Sequence, residues 1–177
     1  MKQTAAIKPS GAWLEADIKE FGGDIISRIS KEWALIAAGN AEDYNAMTAS
    51  WGLMGYLWEK PVTICFVRPQ RHTRIFTDKS AYFTLTFFGK AAKTHKVFGF
   101  ESGRDIDKAA KAGVTPIVFG EGAIGFEEAT QTIVCKKIYF DDFDPKNFLD
   151  DSIGKLYDND YHRFYIGEIV KFYKKSA

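Results

Sequence analysis

Cysteine and histidine are scarce in this chain, charge of neither sign is in excess, and no long apolar run occurs. Each shortage removes a class of function. The two cysteines, Cys65 and Cys135, lie far apart, each inside an apolar run. They read as buried, reduced thiols in a cytoplasmic protein rather than a disulfide or a nucleophile. Three histidines and two cysteines without close ligand spacing give no zinc site, and no metal is expected. Lysine and arginine total 24 against 23 aspartates and glutamates, a net charge of +1, where a nucleic-acid surface would require a strong basic excess. No segment approaches the roughly 18 uninterrupted apolar residues of a membrane-spanning helix. Met1 to Ala12 carries Lys2 and Lys8 but not the apolar stretch of a secretory signal. There is no Gly-x-Ser-x-Gly elbow. Asp141, Asp142 and Asp144 read as a solvated loop and a helix cap rather than an acid–base pair.

What the chain does have is apolar and aromatic bulk. Hydrophobic residues make up 46% and aromatics 15% of 177 residues, enough for one domain with a sizeable core. Residues 1–21 read as an N-terminal extension, followed by Phe21-Gly22-Gly23 and a loose alternation over Asp24–Ser30. Trp33–Ala38, stopped by Gly39-Asn40, and then Asn45–Trp51 read as successive strands. In the second, Ala46, Thr48 and Ser50 face one way and Asn45, Met47, Ala49 and Trp51 the other. Gly52 and Gly55 break it; Pro61 opens the next strand and Pro69 closes it. A short helix is expected over Thr73–Lys79, a strand over Ala81–Phe88, where aromatics and threonines interleave, and a helix over Ala91–Phe98. Ser102 and Asp105 match a capping box for a helix running to Ala112 and ending at Gly113. Strands Ile117–Phe119, Thr130–Phe140 and Arg163–Tyr173 follow, with a short helix at Asp144-Pro145. Many strands with short helices inserted predict a mainly β fold, an antiparallel β-barrel with short peripheral helices, rather than a doubly wound sheet.

Gly120-Glu121-Gly122-Ala123-Ile124-Gly125 is formally a dinucleotide-binding glycine motif, with Asp141 about 20 residues on. The setting is wrong for it. A helix must start at the third glycine, yet Thr130-Gln131-Thr132-Ile133-Val134 follows almost at once and prefers extended structure. The motif reads as a Gly-rich hairpin in an all-β region.

Tyr44 to Thr73 holds the densest chemistry. Arg68, Arg71 and Arg74, with His72 and Thr73, cluster around Pro69 at the start of the expected helix. Guanidinium forks, a hydroxyl and free main-chain N–H groups suit a phosphate monoester, and the same residues also fit a solvated basic turn. Upstream, Ala46, Thr48, Ala49 and Ser50 are small enough to let a flat ring with one hydrogen-bonding edge approach the strand. The same pattern also fits a plain barrel strand with Trp51 in the core. Of the three histidines, His162 stands just before the last strand, between Tyr161 and Arg163. Each single histidine reads first as a surface or structural residue; beside a flavin-like ring, one would instead stabilise the reduced form or orient a hydride donor.

Four segments in order resemble the flavin reductase-like FMN-binding split barrels, flavoredoxin-like branch. They are Asn45–Trp51; Val67-Arg68-Pro69-Gln70-Arg71-His72-Thr73; Ser102-Gly103-Arg104-Asp105-Ile106-Asp107-Lys108; and His162 through Gly167-Glu168-Ile169. Together they span about residues 22–172. The resemblance implies a split-barrel homodimer holding FMN non-covalently near its interface. It places Asn45, Met47, Thr48, Ala49, Ser50 and Trp51 along the isoalloxazine. Arg68, Arg71 and Thr73 would sit on the phosphate, with His72 beside them. Ser102, Gly103 and Arg104 would close over the cofactor, and His162, the catalytic candidate, would lie near the ring. Thr86 occupies a place where relatives often carry Asn, and it offers one donor where Asn offers two donors and an acceptor. The implied activity is an oxidoreductase that takes hydride from NAD(P)H and passes electrons to a flavin, a protein or a small acceptor. The alternative is a non-enzymatic electron carrier with a redox partner protein. A third reading is another phosphate-bearing ligand, such as pyridoxal phosphate or haem fragments.

Overall fold

The computed structural model describes residues 3–89 and 92–176, so the start expected for a helix at Ala91 lies outside the described residues. The strands are β1 (Trp13–Ala16), β2 (Ala34–Gly39), β3 (Tyr44–Ala49), β4 (Gly52–Leu57), β5 (Lys60–Val67), β6 (Tyr82–Phe87), β7 (Pro116–Val118), β8 (Ile124–Phe126), β9 (Gln131–Asp142) and β10 (Arg163–Lys175). Between them lie α1 (Ile25–Ser27), α2 (Thr73–Lys79), α3 (Ala92–Phe100), α4 (Lys108–Ala112) and α5 (Asp151–Gly154).

Eight strands make one antiparallel sheet in the order β3-β2-β6-β9-β10-β5-β4, with β1 added on the C-terminal half of β10. The two ends of that path, β3 and β4, are joined in the chain by Ser50 and Trp51 alone. A flat path of this many strands would be about 29 Å wide, and such a link reaches only about 10 Å. The sheet therefore curls into a barrel. Because β3 and β4 share no hydrogen-bonded ladder, the barrel is split along that line.

Strand periodicity fills two cores. Ala34, Ile36 and Ala38 of β2, Phe83, Leu85 and Phe87 of β6, and Cys65, Cys135, Tyr165 and Phe172 pack inside the barrel. The alternate residues Leu35 and Ala37, with Tyr44 and Ala46, face an outer layer of α3, α4 and the β7–β8 hairpin. Both faces of β2 and β3 are thus buried. The two cysteines are free thiols in the inner core, and burial pushes both thiols up from their ordinary range.

Most expected elements are present, and the glycine motif is indeed a turn between the antiparallel β7 and β8. Four expectations are corrected. Gly52 and Gly55 do not end extended structure, because pairing with β5 holds β4 despite them. The N-terminal extension contributes β1 to the sheet. Residues 25–32 are helical. The helix expected from Asp105 starts at Lys108, capped by the Asp107 carboxylate on Ala110 N, and ends on left-handed Gly113 as expected.

β10 bulges against β9 at Ile166/Gly167. A Cβ on Gly167 would stand 2.5 Å from Phe83 Cζ and 2.7 Å from Cys135 Cβ. Gly167→Ala should therefore overpack the inner core and cost about 1–3 kcal/mol, read as a lowered urea midpoint with an unchanged slope.

Candidate functional site

At the split, a cleft of about 210 Å³ is lined by Met47, Thr48, Ala49, Ser50 and Trp51, by Phe66, Arg68 and Arg71, and by His162. The end of β3 supplies one wall and the adjoining end of β5 the other. Thr48 Oγ1 donates to His95 O at 2.7 Å and ties β3 to α3. Arg68 donates from Nη1 to Asp160 at 2.5 Å and from Nη2 to Leu156 O at 2.9 Å. Gln70 donates to the same Asp160 oxygen at 2.6 Å. His162 is buried, with its ring centroid 5.2 Å from that of Trp51 and 6.2 Å from that of Phe66. Burial, reinforced by the positive charge of Arg68, pushes its pKa down to about 4, so the imidazole is neutral at neutral pH.

A second cleft of about 190 Å³ shares Arg71 with the first. Asn45, Gln70, His72 and Thr73 line one side, and Phe100, Glu101, Ser102, Gly103, Arg104 and Lys108 the other. Arg71 donates to Gly99 O at 2.5 Å and Phe98 O at 2.9 Å, the carbonyls that α3 leaves free at its C-terminus. Lys108, only 2% exposed, donates from Nζ to Ala46 O and lies 3.5 Å from Phe98 O. Burial, then the neighbouring charge of Arg71, pushes its pKa down to about 7. Neither cation has a carboxylate partner among the described residues. Asn45 donates to Thr73 Oγ1 at 2.8 Å, while its Oδ1 is buried without a partner among the described residues. His72 Nδ1 is likewise buried with no partner among them; burial, then Arg104 and Lys108, lower its pKa.

The loop that carries Ser102 and Gly103 is pinned from the N-terminus. Gln3 donates to Gly103 O at 3.2 Å and Ile106 O at 2.9 Å, and accepts from Lys108 N at 3.1 Å. A Cβ on Gly103 would come within 2.1 Å of Asn45 Oδ1, so only glycine lets this loop approach β3 so closely.

Of the residues singled out from the sequence, fourteen line one cleft or the other. Thr86 does not. Strand alternation sends Phe83, Leu85 and Phe87 inward and Thr86 outward, where it is fully buried opposite Thr132, hydroxyl to hydroxyl at 3.4 Å. Arg74 also points elsewhere, to Asp78 at 3.1 Å and Asp142 at 3.3 Å. Arg68 stands in the first cleft only, away from Thr73 and Ser102. Sequence reasoning missed Lys108 as a site residue. It closes the Ser102–Lys108 motif, which was the available signal, but a lysine in a polar stretch reads as solvated. Phe66 carried no signal beyond strand alternation.

The neutral His162 has a measurable consequence. The unfolded imidazole takes up a proton near pH 6.5 and the folded one only near pH 4. Stability should therefore fall as pH drops through that window, by at most about 3 kcal/mol from this group. His162→Gln should flatten that slope in urea unfolding measured at stepped pH, while His72 and His95 keep their share in both proteins.

No family model matches the chain, and no curated protein matches it by sequence. Solved structures do match. An FMN-binding protein from Thermus thermophilus is 20% identical with a TM-score of 0.63, covering 82% of this chain and 72% of its own. A flavoredoxin from Methanosarcina acetivorans is 20% identical with a TM-score of 0.64, covering 82% and 69%. An FMN-binding domain of a flavin reductases-like enzyme from Shewanella baltica is 17% identical with a TM-score of 0.65, covering 96% and 79%. The chain has the fold of the FMN-binding split barrels.

Proposed function

We propose that the chain binds FMN non-covalently across the two clefts and is an oxidoreductase of the flavin reductase type, taking hydride from NAD(P)H and passing electrons to a flavin, a protein or a small acceptor. One observation carries the reading. Two cations, the half-buried Arg71 and the buried Lys108, rest on main-chain carbonyls with no carboxylate among the described residues, where the two clefts meet. Burying such charges is costly unless an anion compensates them, and a phosphate on a planar ring system matches both halves. The donor set fits. Arg71, Lys108, Thr73, Ser102 and the main chain at Gly103 would hold the phosphate. Met47 to Trp51, with Phe66, would flank the ring. Bound there, FMN would supply two-electron chemistry between a nicotinamide and an acceptor.

This chain's own residues would orient and shield. Arg68 and Gln70 hold the loop at Asp160 against the ring cleft. Trp51 and Phe66 give His162 an apolar surround that keeps it uncharged. We further propose a homodimer. β4 pairs only with β5 among the described residues, and it carries exposed Leu53, Tyr56 and Leu57 beside Trp58. The Trp58-Glu59 turn has φ of +52° and +58°, a geometry that Asn-Gly would fill with less strain. A second copy on this edge would bury that apolar surface; a monomer at every concentration in sedimentation equilibrium would remove the proposal.

The neighbouring flavoredoxin favours a second reading, a carrier that does not turn over nicotinamide. Anaerobic NADH or NADPH added to the FMN-loaded protein separates the two: bleaching of the flavin band marks a reductase, and no bleaching a carrier. Failure to take up FMN would end both. Lys108→Met should weaken FMN binding about 10- to 100-fold, the worth of a charged hydrogen bond, and leave riboflavin binding nearly unchanged. Wild-type FMN affinity should fall as pH rises above about 7, because Lys108 must regain a proton to pair with the phosphate. That pH dependence should vanish in Lys108→Met, with fluorescence titration from pH 6.5 to 9 as the readout.

A further inference from the structure

The loop between β9 and β10 carries a side chain that touches three residues of the ring cleft without lining it. The Tyr157 ring packs against His162 at 5.4 Å and Trp51 at 6.5 Å, and Arg68 Cζ sits 5.0 Å from its centroid. Phe148 stacks on it at 5.9 Å, with an interplanar angle of 14°. Its hydroxyl lies 3.0 Å from His162 Nδ1. That contact can run in either direction, and the direction decides what the imidazole offers the cleft.

Three features favour the phenol as donor. A phenolic O–H is a better donor than acceptor toward an imidazole nitrogen. Burial holds the Tyr157 phenol above its ordinary range, so it keeps its proton. The guanidinium of Arg68 over the ring draws electron density from the phenol oxygen and weakens it as an acceptor. The other ring nitrogen, Nε2, has no partner among the described residues and is not among the buried unpaired atoms, so it is accessible on a residue that lines the cleft.

We propose that Tyr157 is the positioning residue of His162: by donating to Nδ1 it confines the proton to Nε2, so that the imidazole presents an uncharged N–H donor to the ring cleft. His162 then acts as a fixed hydrogen-bond donor to an acceptor atom on the edge of a bound ring, not as a proton shuttle. With the opposite tautomer, the same nitrogen would be a bare lone pair and would repel that atom. The identity of the ring rests on the FMN reading; the tautomer does not.

The test is a 15N NMR assignment of His162 in ligand-free protein at pH 7, followed by FMN titration. In the wild type, Nδ1 should resonate as the unprotonated nitrogen and Nε2 as the protonated one. Tyr157→Phe should give a mixture of tautomers and raise the FMN Kd about three- to tenfold, the worth of one hydrogen bond. A merely structural role for Tyr157 would leave the tautomer unmoved. An Nδ1–H tautomer in the wild type, or an unchanged tautomer in Tyr157→Phe, would overturn the proposal. The wild-type spectrum decides even if the variant does not fold. A protein with the predicted tautomer that takes up no FMN would sink the FMN reading and leave this one standing.

Discussion

Everything at the site depends on a chain-length constraint: β3 and β4 end a seven-membered hydrogen-bonded path, yet Ser50 and Trp51 must bridge them. The bridge closes the sheet without closing the ladder. Along the seam β3 and β4 share no ladder, and the cleft opens there. The seam also brings residues distant in sequence, Met47, Arg68 and His162, to one place. A barrel with a full ladder there would have a continuous wall and no cleft.

The second organising force is charge without a counter-charge. α3 ends with its free carbonyls gathered near Ala46, and Arg71 and Lys108 both lean on them. This satisfies hydrogen-bonding needs and leaves the electrostatics unbalanced. Elsewhere the arginines are conventionally paired, Arg163 with Asp142 at 2.6 Å and Arg74 with Asp78 at 3.1 Å. The contrast within one chain sets the Arg71–Lys108 corner apart from its paired arginines.

Much of this was legible in the residues. The residues singled out in Asn45–Trp51 and in the turn before α2 do line the two clefts, although Arg68 lies in the first and apart from Thr73. Three things were not legible, each for a physical reason. Edge strands such as β4 take their form from a neighbour, so Gly52 and Gly55 misled. Which face of β6 looks inward depends on the barrel's closure, so Thr86 could not be placed from its own strand. The turn at Ser102 looked like a helix start, because nothing local reveals that Gln3, a hundred residues upstream, holds it. Lys108 is the sharpest case: its burial arises where α4 packs on α3 and its ammonium reaches Ala46 O, contacts made only in the folded chain.

The two inner-core thiols have a use of their own. Cys65 and Cys135 are at most 1% exposed, and burial suppresses their thiolate forms. Neither offers a nucleophile to oxidants while the barrel is shut. Alkylation can proceed only from states in which the inner core has come apart, so the rate at which the thiols are labelled reports the free energy of opening the barrel. The chain thus carries two built-in probes of its own integrity, one on β5 and one on β9.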